Sequence, residues 1–234
     1  MFALALRAAR AARVPLAFGP TAAVLLSFVA LLAWDAGGLD LPLATLAGTA
    51  HGFPLREQWA LTRLLHDGAR WVSWLLVFGL CAAVWWPVGA LARLPVQLRL
   101  QLAASTLLAA FAVSALKGFS VASCPWDLQA FGGVARYVSH WSGLVDGGAG
   151  HCFPAGHAAA GFAYVSGYFA FRRHDAVLAR RWLLAALAAG FLLGLAQQLR
   201  GAHFMSHTLW TAWICWTVCW ALDGLHRKFS LTET

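Results

Sequence analysis

The chain has 234 residues, 61% of them hydrophobic and only 11% charged, where a soluble domain of this length carries about a quarter charged residues. That deficit, together with 13 Trp, argues against an ordinary soluble enzyme and points to the bilayer. The formal net charge of +8 raises the question of a nucleic-acid partner, and the distribution of that charge answers it below.

Apolar runs near the roughly 20 residues that span a bilayer occur at 15–34, 71–92, 100–116, 154–171, 182–199 and 205–222. The expected fold is therefore all-α: one integral membrane domain over residues 1–234 with six transmembrane helices. The first run follows Arg7, Arg10 and Arg13. It is longer than a secretory signal core and ends in no small-x-small site, so it reads as an uncleaved span. Residues 35–70 then form a first outside segment. In it Leu55, Trp59, Leu61, Leu64 and Leu65 recur near helical spacing, with Arg56, Glu57, Arg63 and Asp67 between them. That pattern predicts an amphipathic helix lying at the interface, as a packing connector or a lid.

A second outside segment runs from Lys117 to Cys152 and is broken by Gly132-Gly133 and Gly147-Gly148. A loop this long in a small domain usually carries function. The third is the turn from Arg200 to Phe204. Eleven of the 17 cations, including Arg93, Arg99, Arg172, Arg173, Arg180, Arg181, Arg227 and Lys228, fall on the other side if the spans alternate. The positive-inside rule makes that side cytoplasmic, with both termini on it. The expected location is a bacterial inner membrane, with the outside segments facing the periplasm. A one-sided cation excess is an insertion signal, so no nucleic-acid partner is expected.

Of five cysteines, Cys81, Cys215 and Cys219 fall inside spans, whereas Cys124 and Cys152 both lie in the second outside segment. A disulfide between these two is expected in such a compartment. It would close a loop of about 29 residues, worth roughly 3–4 kcal/mol on the chain-entropy view.

The polar residues of the outside face carry the chemistry. Lys117 ends the third run, and His157 opens the fourth within Phe153-Pro154-Ala155-Gly156-His157. Gln197, Arg200 and His203 surround the turn between the fifth and sixth. Ionisable groups at that depth are costly and normally face the bundle interior. Free N–H groups at Ala155 and Gly156 would suit a phosphate oxygen.

These residues resemble the type 2 phosphatidic acid phosphatase superfamily, over roughly residues 117–207. The family motif Lys-x6-Arg-Pro is matched by Lys117 with Cys124-Pro125. Pro-Ser-Gly-His is matched by Pro154-Ala155-Gly156-His157. Ser-Arg-x5-His-x3-Asp is matched by Ala196-Gln197, His203 and His207. The resemblance implies a lipid phosphate phosphatase that works through a phosphohistidine without metal or cofactor. His203 would be the nucleophile, His157 the proton donor and then base, and His207 its partner in the third motif. Lys117, Gly156 and Ala155 would hold phosphate. The family arginines are replaced by Cys124 and Gln197, so Arg200, one turn after Gln197, is expected to take over the clamp beside a Gln197 hydrogen bond, with Arg136 a weaker candidate. The missing carboxylate would have to come from Asp127 or Asp146. Undecaprenyl pyrophosphate, lipid A, phosphatidylglycerol phosphate and phosphatidic acid are the candidate substrates. Three alternatives stay open: a non-catalytic lipid-binding descendant, a lipid phosphotransferase, and a metal protein ligated by His203, His207 and either His157 or His151.

Overall fold

The computed structural model describes residues 19–232. Arg7, Arg10, Arg13 and the start of the first apolar run lie outside these residues. The described chain is built of helices and turns: α1 (Pro20–Ala36), α2 (Asp40–Ala44), α3 (Ala69–Ala82), α4 (Val96–Phe119), α5 (Gly156–Phe162), α6 (Ser166–Phe171), α7 (Ala176–Leu199) and α8 (Met205–Thr232). A π-helical stretch, Ala60–Gly68, runs straight into α3, and a 3₁₀ turn, Ala163–Val165, joins α5 to α6. Two helices, α4 and α7, are long and apolar enough to cross a membrane; α1 is apolar but shorter.

The helix boundaries have local causes. Pro20 occupies the first turn of α1, where its missing N–H costs nothing. The helix of the second apolar run ends at Ala82 instead of continuing to 92, because Trp85-Trp86-Pro87 follows and proline disfavours helix in the residue before it. That helix starts earlier instead. The amphipathic stretch is its N-terminal part and not a separate interfacial helix. α7 starts six residues earlier than its apolar run, where Asp175 caps it by accepting from Leu178 N at 2.9 Å. The apolar run that starts at 154 becomes helical two residues later: α5 begins at Gly156 with Ala155 as its cap, after a cis Phe153–Pro154 bond.

The main core packs Leu102, Val113, Phe162, Val165, Phe171 and Leu183 between α4, α5, α6 and α7. α5 and α7 cross at glycines. A Cβ added to Gly161 would lie 2.2 Å from Gly190 N, and where α7 meets α8 one on Gly194 would lie 2.3 Å from Thr208 Cγ2. Small residues at such crossings let backbones approach closely. Outward, Leu25, Val29, Leu75, Phe78, Phe111 and Leu184 are exposed on the helix surfaces.

The three segments expected to lie outside are knitted into one cap. Phe53 packs on Phe131 with ring centroids 4.8 Å apart, and Trp126 N donates to Gly201 O at 2.9 Å. Gly201 has φ +74°, and a Cβ there would strike the Phe53 ring, so glycine is required twice over. Arg56 lies 4.4 Å over the Trp126 ring. The expected disulfide joins Cys124 to Cys152, beside a ladder in which His151 N donates to Ser120 O and Cys152 N to Ala122 O. At the opposite end, buried Asp223 pairs with Arg172 and Arg227, far from this cap along α8.

Candidate active site

His203 lies in the turn between α7 and α8 and is 4% exposed. Its Nδ1 is 3.4 Å from Nδ1 of His207, one turn into α8, and 3.6 Å from Cys152 Sγ. Cys152 Sγ also touches Ala202 O at 2.9 Å; being in a disulfide it has no proton to donate, so this is a packing contact. The disulfide therefore rests directly against the turn that carries His203. Burial holds the His203 imidazole well below its ordinary pKa, and the neighbouring charges of Lys117, His207 and His157 push the same way. The ring is neutral at physiological pH and so keeps a free lone pair on one nitrogen.

Lys117, in the last turn of α4, donates from Nζ to His151 O at 2.6 Å. An ammonium has three donors, so two remain for a ligand. His151 has φ +53°, a left-handed conformation uncommon outside glycine. The Lys117 side chain runs beside Gly156, where a Cβ would lie 3.4 Å from Lys117 Cδ. His157 is half-buried at the start of α5, within electrostatic reach of His66, Lys117, Arg200 and Arg70.

Gln197 and Arg200 stand side by side, as the spacing predicts. Arg200 Nη1 donates to Gln197 Oε1 at 3.1 Å and Nε to Arg56 O at 2.9 Å. Gln197 is 1% exposed, and its Nε2 is buried without a hydrogen-bond partner. A buried donor left unmet costs about 1–3 kcal/mol, so this amide is poised for an incoming acceptor.

Several expectations need correction. Ala155 is fully buried, and its N–H donates to His207 O at 3.2 Å; it is not free for phosphate, which leaves Gly156 as the candidate at that helix start. Arg136 is exposed in the loop, its N–H bonded to Asp146 O. Asp146 accepts from Ser123 N and Oγ at 2.7 Å and from Gly148 N at 3.0 Å, so it fixes the loop. Asp127 contributes its backbone to the same loop.

Two carboxylates from the 35–70 segment meet the start of α8 and the neighbour of His207 instead. Asp40 accepts from Trp34 Nε1 and from Ser206 N, both at 2.9 Å, and from Ser206 Oγ. It thereby caps α8 between His203 and His207. Asp35 accepts from the indoles of Trp141 (2.8 Å) and Trp210 (2.9 Å) and lies 3.4 Å from His140 Nε2. His140 stacks on Phe153 and meets His207 edge-on at 5.8 Å. Their only sequence signal is that they are two of nine acids in the chain and lie close to the end of the first span.

Sequence reasoning also passed over His66. Its ring stacks on that of His157 at 3.7 Å. The metal reading loses a donor: Cys152, His203 and His207 place ligand atoms within 4.8 Å of one another, but Cys152 has no thiolate while the disulfide stands, and His157 and His151 are not part of that group.

No curated protein and no solved structure matches the chain. The family model described as the PAP2 superfamily matches residues 99–229, a stretch that contains Lys117, His157, Gln197, Arg200, His203 and His207. Over more than half its length, and through the segment that builds this cluster, the chain belongs to the PAP2 superfamily, whose members are generally phosphatases.

Proposed function

We propose that the protein is a membrane-embedded, metal-independent phosphatase acting on a phosphorylated lipid through a phosphohistidine at His203. The observation that carries this reading is a buried, neutral His203 within electrostatic reach of Lys117 and His157, with Arg200 in turn within reach of His157 and bonded to Gln197. His207 faces Nδ1 of His203, so Nε2 is the attacking atom. It bonds to phosphorus as the bond from phosphorus to the lipid oxygen breaks, and His157, protonated once the phosphate dianion sits beside it, gives that proton to the lipid oxygen. Water then attacks the phosphohistidine, His157 takes the water's proton, and the P–N bond breaks to release inorganic phosphate. Lys117, Arg200, Gln197 Nε2 and the Gly156 N–H hold the non-bridging oxygens, where charge must be stabilised.

A lipid substrate is supported by a largely apolar groove of about 550 Å³ between α3, α4 and α5, which begins at Arg70 and Gly156 and descends past Val77 and Phe111 to Tyr164. The exposed apolar helix surfaces support six membrane-crossing helical segments, with 60–82 and 156–171 as the second and fourth. In this reading the cationic ends face the cytoplasm, and the histidines face the periplasm of a bacterial inner membrane. Undecaprenyl pyrophosphate, lipid A, phosphatidylglycerol phosphate and phosphatidic acid are the substrates to try, with water or a second lipid as acceptor.

The test is phosphate release from these lipids by the purified protein, in chelator. Loss of release in both His203→Ala and His157→Ala supports the mechanism; unchanged release in either overturns it. The histidine at position 207, where the family has a carboxylate, favours one second reading: a lipid-binding descendant without turnover. Lipid binding with no release by the wild-type protein would select it.

A further inference from the structure

The matched region supplies a dianionic phosphate with fewer cations than its family pattern, since Cys124 and Gln197 are neutral. The deficit is met from outside residues 99–229. The helix 60–82 carries His66 and Arg70 four residues apart, on neighbouring turns of one face. The His66 ring stacks on the His157 ring at 3.7 Å with 29° between the planes. Its Nδ1 is paired with Asp67 Oδ1 at 2.9 Å, which leaves Nε2 as the atom available to a ligand. Arg70 shares the head of the apolar groove with Gly156, and both His66 and Arg70 lie within electrostatic reach of His157.

A second observation points to a ligand between this helix and the matched region. An open cavity of about 370 Å³ is bounded by Thr62, Arg63, His66 and Asp67 on one side and by Arg200 on the other, with Trp59 and Glu57, the latter paired with Arg56, also on its wall. Arg200 is held there by Arg56 O and Gln197 Oε1, beside the buried and unpartnered Gln197 Nε2. The two carboxylates on this wall are already paired, Asp67 with His66 and Arg63 and Glu57 with Arg56, so donors of His66 and Arg200 approach one space from two directions, which suits the several oxygens of a phosphate group.

We infer that His66 and Arg70 form a second anion-binding arm, which closes on the non-bridging oxygens of a phosphate monoester held between His157 and Arg200. The inference rests on the proposed function for its substrate class, and it assigns phosphate-contacting roles to residues outside the family region.

The experiment reads anion binding apart from turnover. The full chain, purified in detergent, is titrated with inorganic phosphate, and the rise in melting temperature gives an apparent Kd. His66→Phe keeps an aromatic ring against His157 but removes the donor; Arg70→Lys keeps the charge; Arg70→Ala removes it; Arg173→Ala, on the far side of the bundle, is the control. The expected result is at least a tenfold weaker Kd in His66→Phe and Arg70→Ala, with unliganded melting temperatures near wild type. Arg70→Lys and Arg173→Ala should stay within about threefold of wild type. A Kd within twofold of wild type in His66→Phe and Arg70→Ala overturns the inference and leaves His66 a packing residue. So does a protein that phosphate does not stabilise at all. Lipid hydrolysis is measured in parallel: if the wild type binds phosphate through this arm yet releases none from lipids, the proposed function fails and the arm stands.

Discussion

Asp40→Ala is the most informative single perturbation outside the histidines. Asp40 is 5% exposed and accepts from Trp34 Nε1, Ser206 N and Ser206 Oγ. It lies at the positive end of the long α8 dipole. Removing it leaves two buried donors of Ser206 and the half-buried Trp34 indole without an acceptor. A hydrogen bond to a charged group contributes about 1.5–3 kcal/mol, and loss of a helix cap costs about 0.5–2 kcal/mol. The bonds are coupled and the site relaxes, so the sum is taken at about 3–5 kcal/mol. For a chain of this size 1 kcal/mol moves the midpoint by about 2–4 °C, so the melting temperature should fall by roughly 6–20 °C. Asp40→Asn keeps an acceptor oxygen for Trp34 and Ser206 N, and Ser206 Oγ can accept from the new amide, so its loss should be about 1–2 kcal/mol. Thermal melts of purified protein, followed by tryptophan fluorescence, read both. A melting temperature within 2 °C of wild type for Asp40→Ala would refute the claim that this carboxylate organises the start of α8.

Reduction of the Cys124–Cys152 bridge, whose ends are 28 positions apart in sequence, should destabilise the chain by about 3–4 kcal/mol on the loop-entropy view. Because Cys152 packs against the His203 turn, phosphate release should fall with it; non-reducing gels and melts with and without dithiothreitol check this. Burial lowers the pKa of His203 far below its ordinary 6.5. The unfolded chain therefore binds a proton below pH 6.5 that the folded chain refuses, and stability should drop as pH is lowered through that value. In melts between pH 8 and pH 5, His203→Gln should show a shallower decline than wild type; an equally steep decline would remove His203 as its source.

The helical layout is legible in the sequence because apolar length and charge asymmetry are local properties. The 82–95 stretch misleads because Trp85, Trp86, Val88 and Leu91 look like more span, while Pro87 decides the backbone. Lys117, His157, Gln197, Arg200 and His203 are legible through ordered motifs, and Gln197 with Arg200 through helical spacing. Ala155 fails because its N–H is taken by His207 O, a contact between residues far apart in the chain that no periodicity encodes. Asp35, Asp40 and His66 escape notice for the same reason. Each reaches the cluster from a segment with no motif of its own, and only the packing of α1, α2 and the 60–82 helix against the matched region brings them in.

Asp35 holds together segments that are remote in sequence: the end of α1 through itself, α8 through Trp210, and the outer loop through Trp141 and His140. Any outward swing of the 137–146 stretch has to pull both Trp141 and His140 away from one carboxylate, while the Trp210 attachment stays with the bundle. A single acid thus fastens three parts of the chain at one point. How firmly the 137–146 stretch lies over His207 depends on a residue that contributes nothing to the histidine cluster itself.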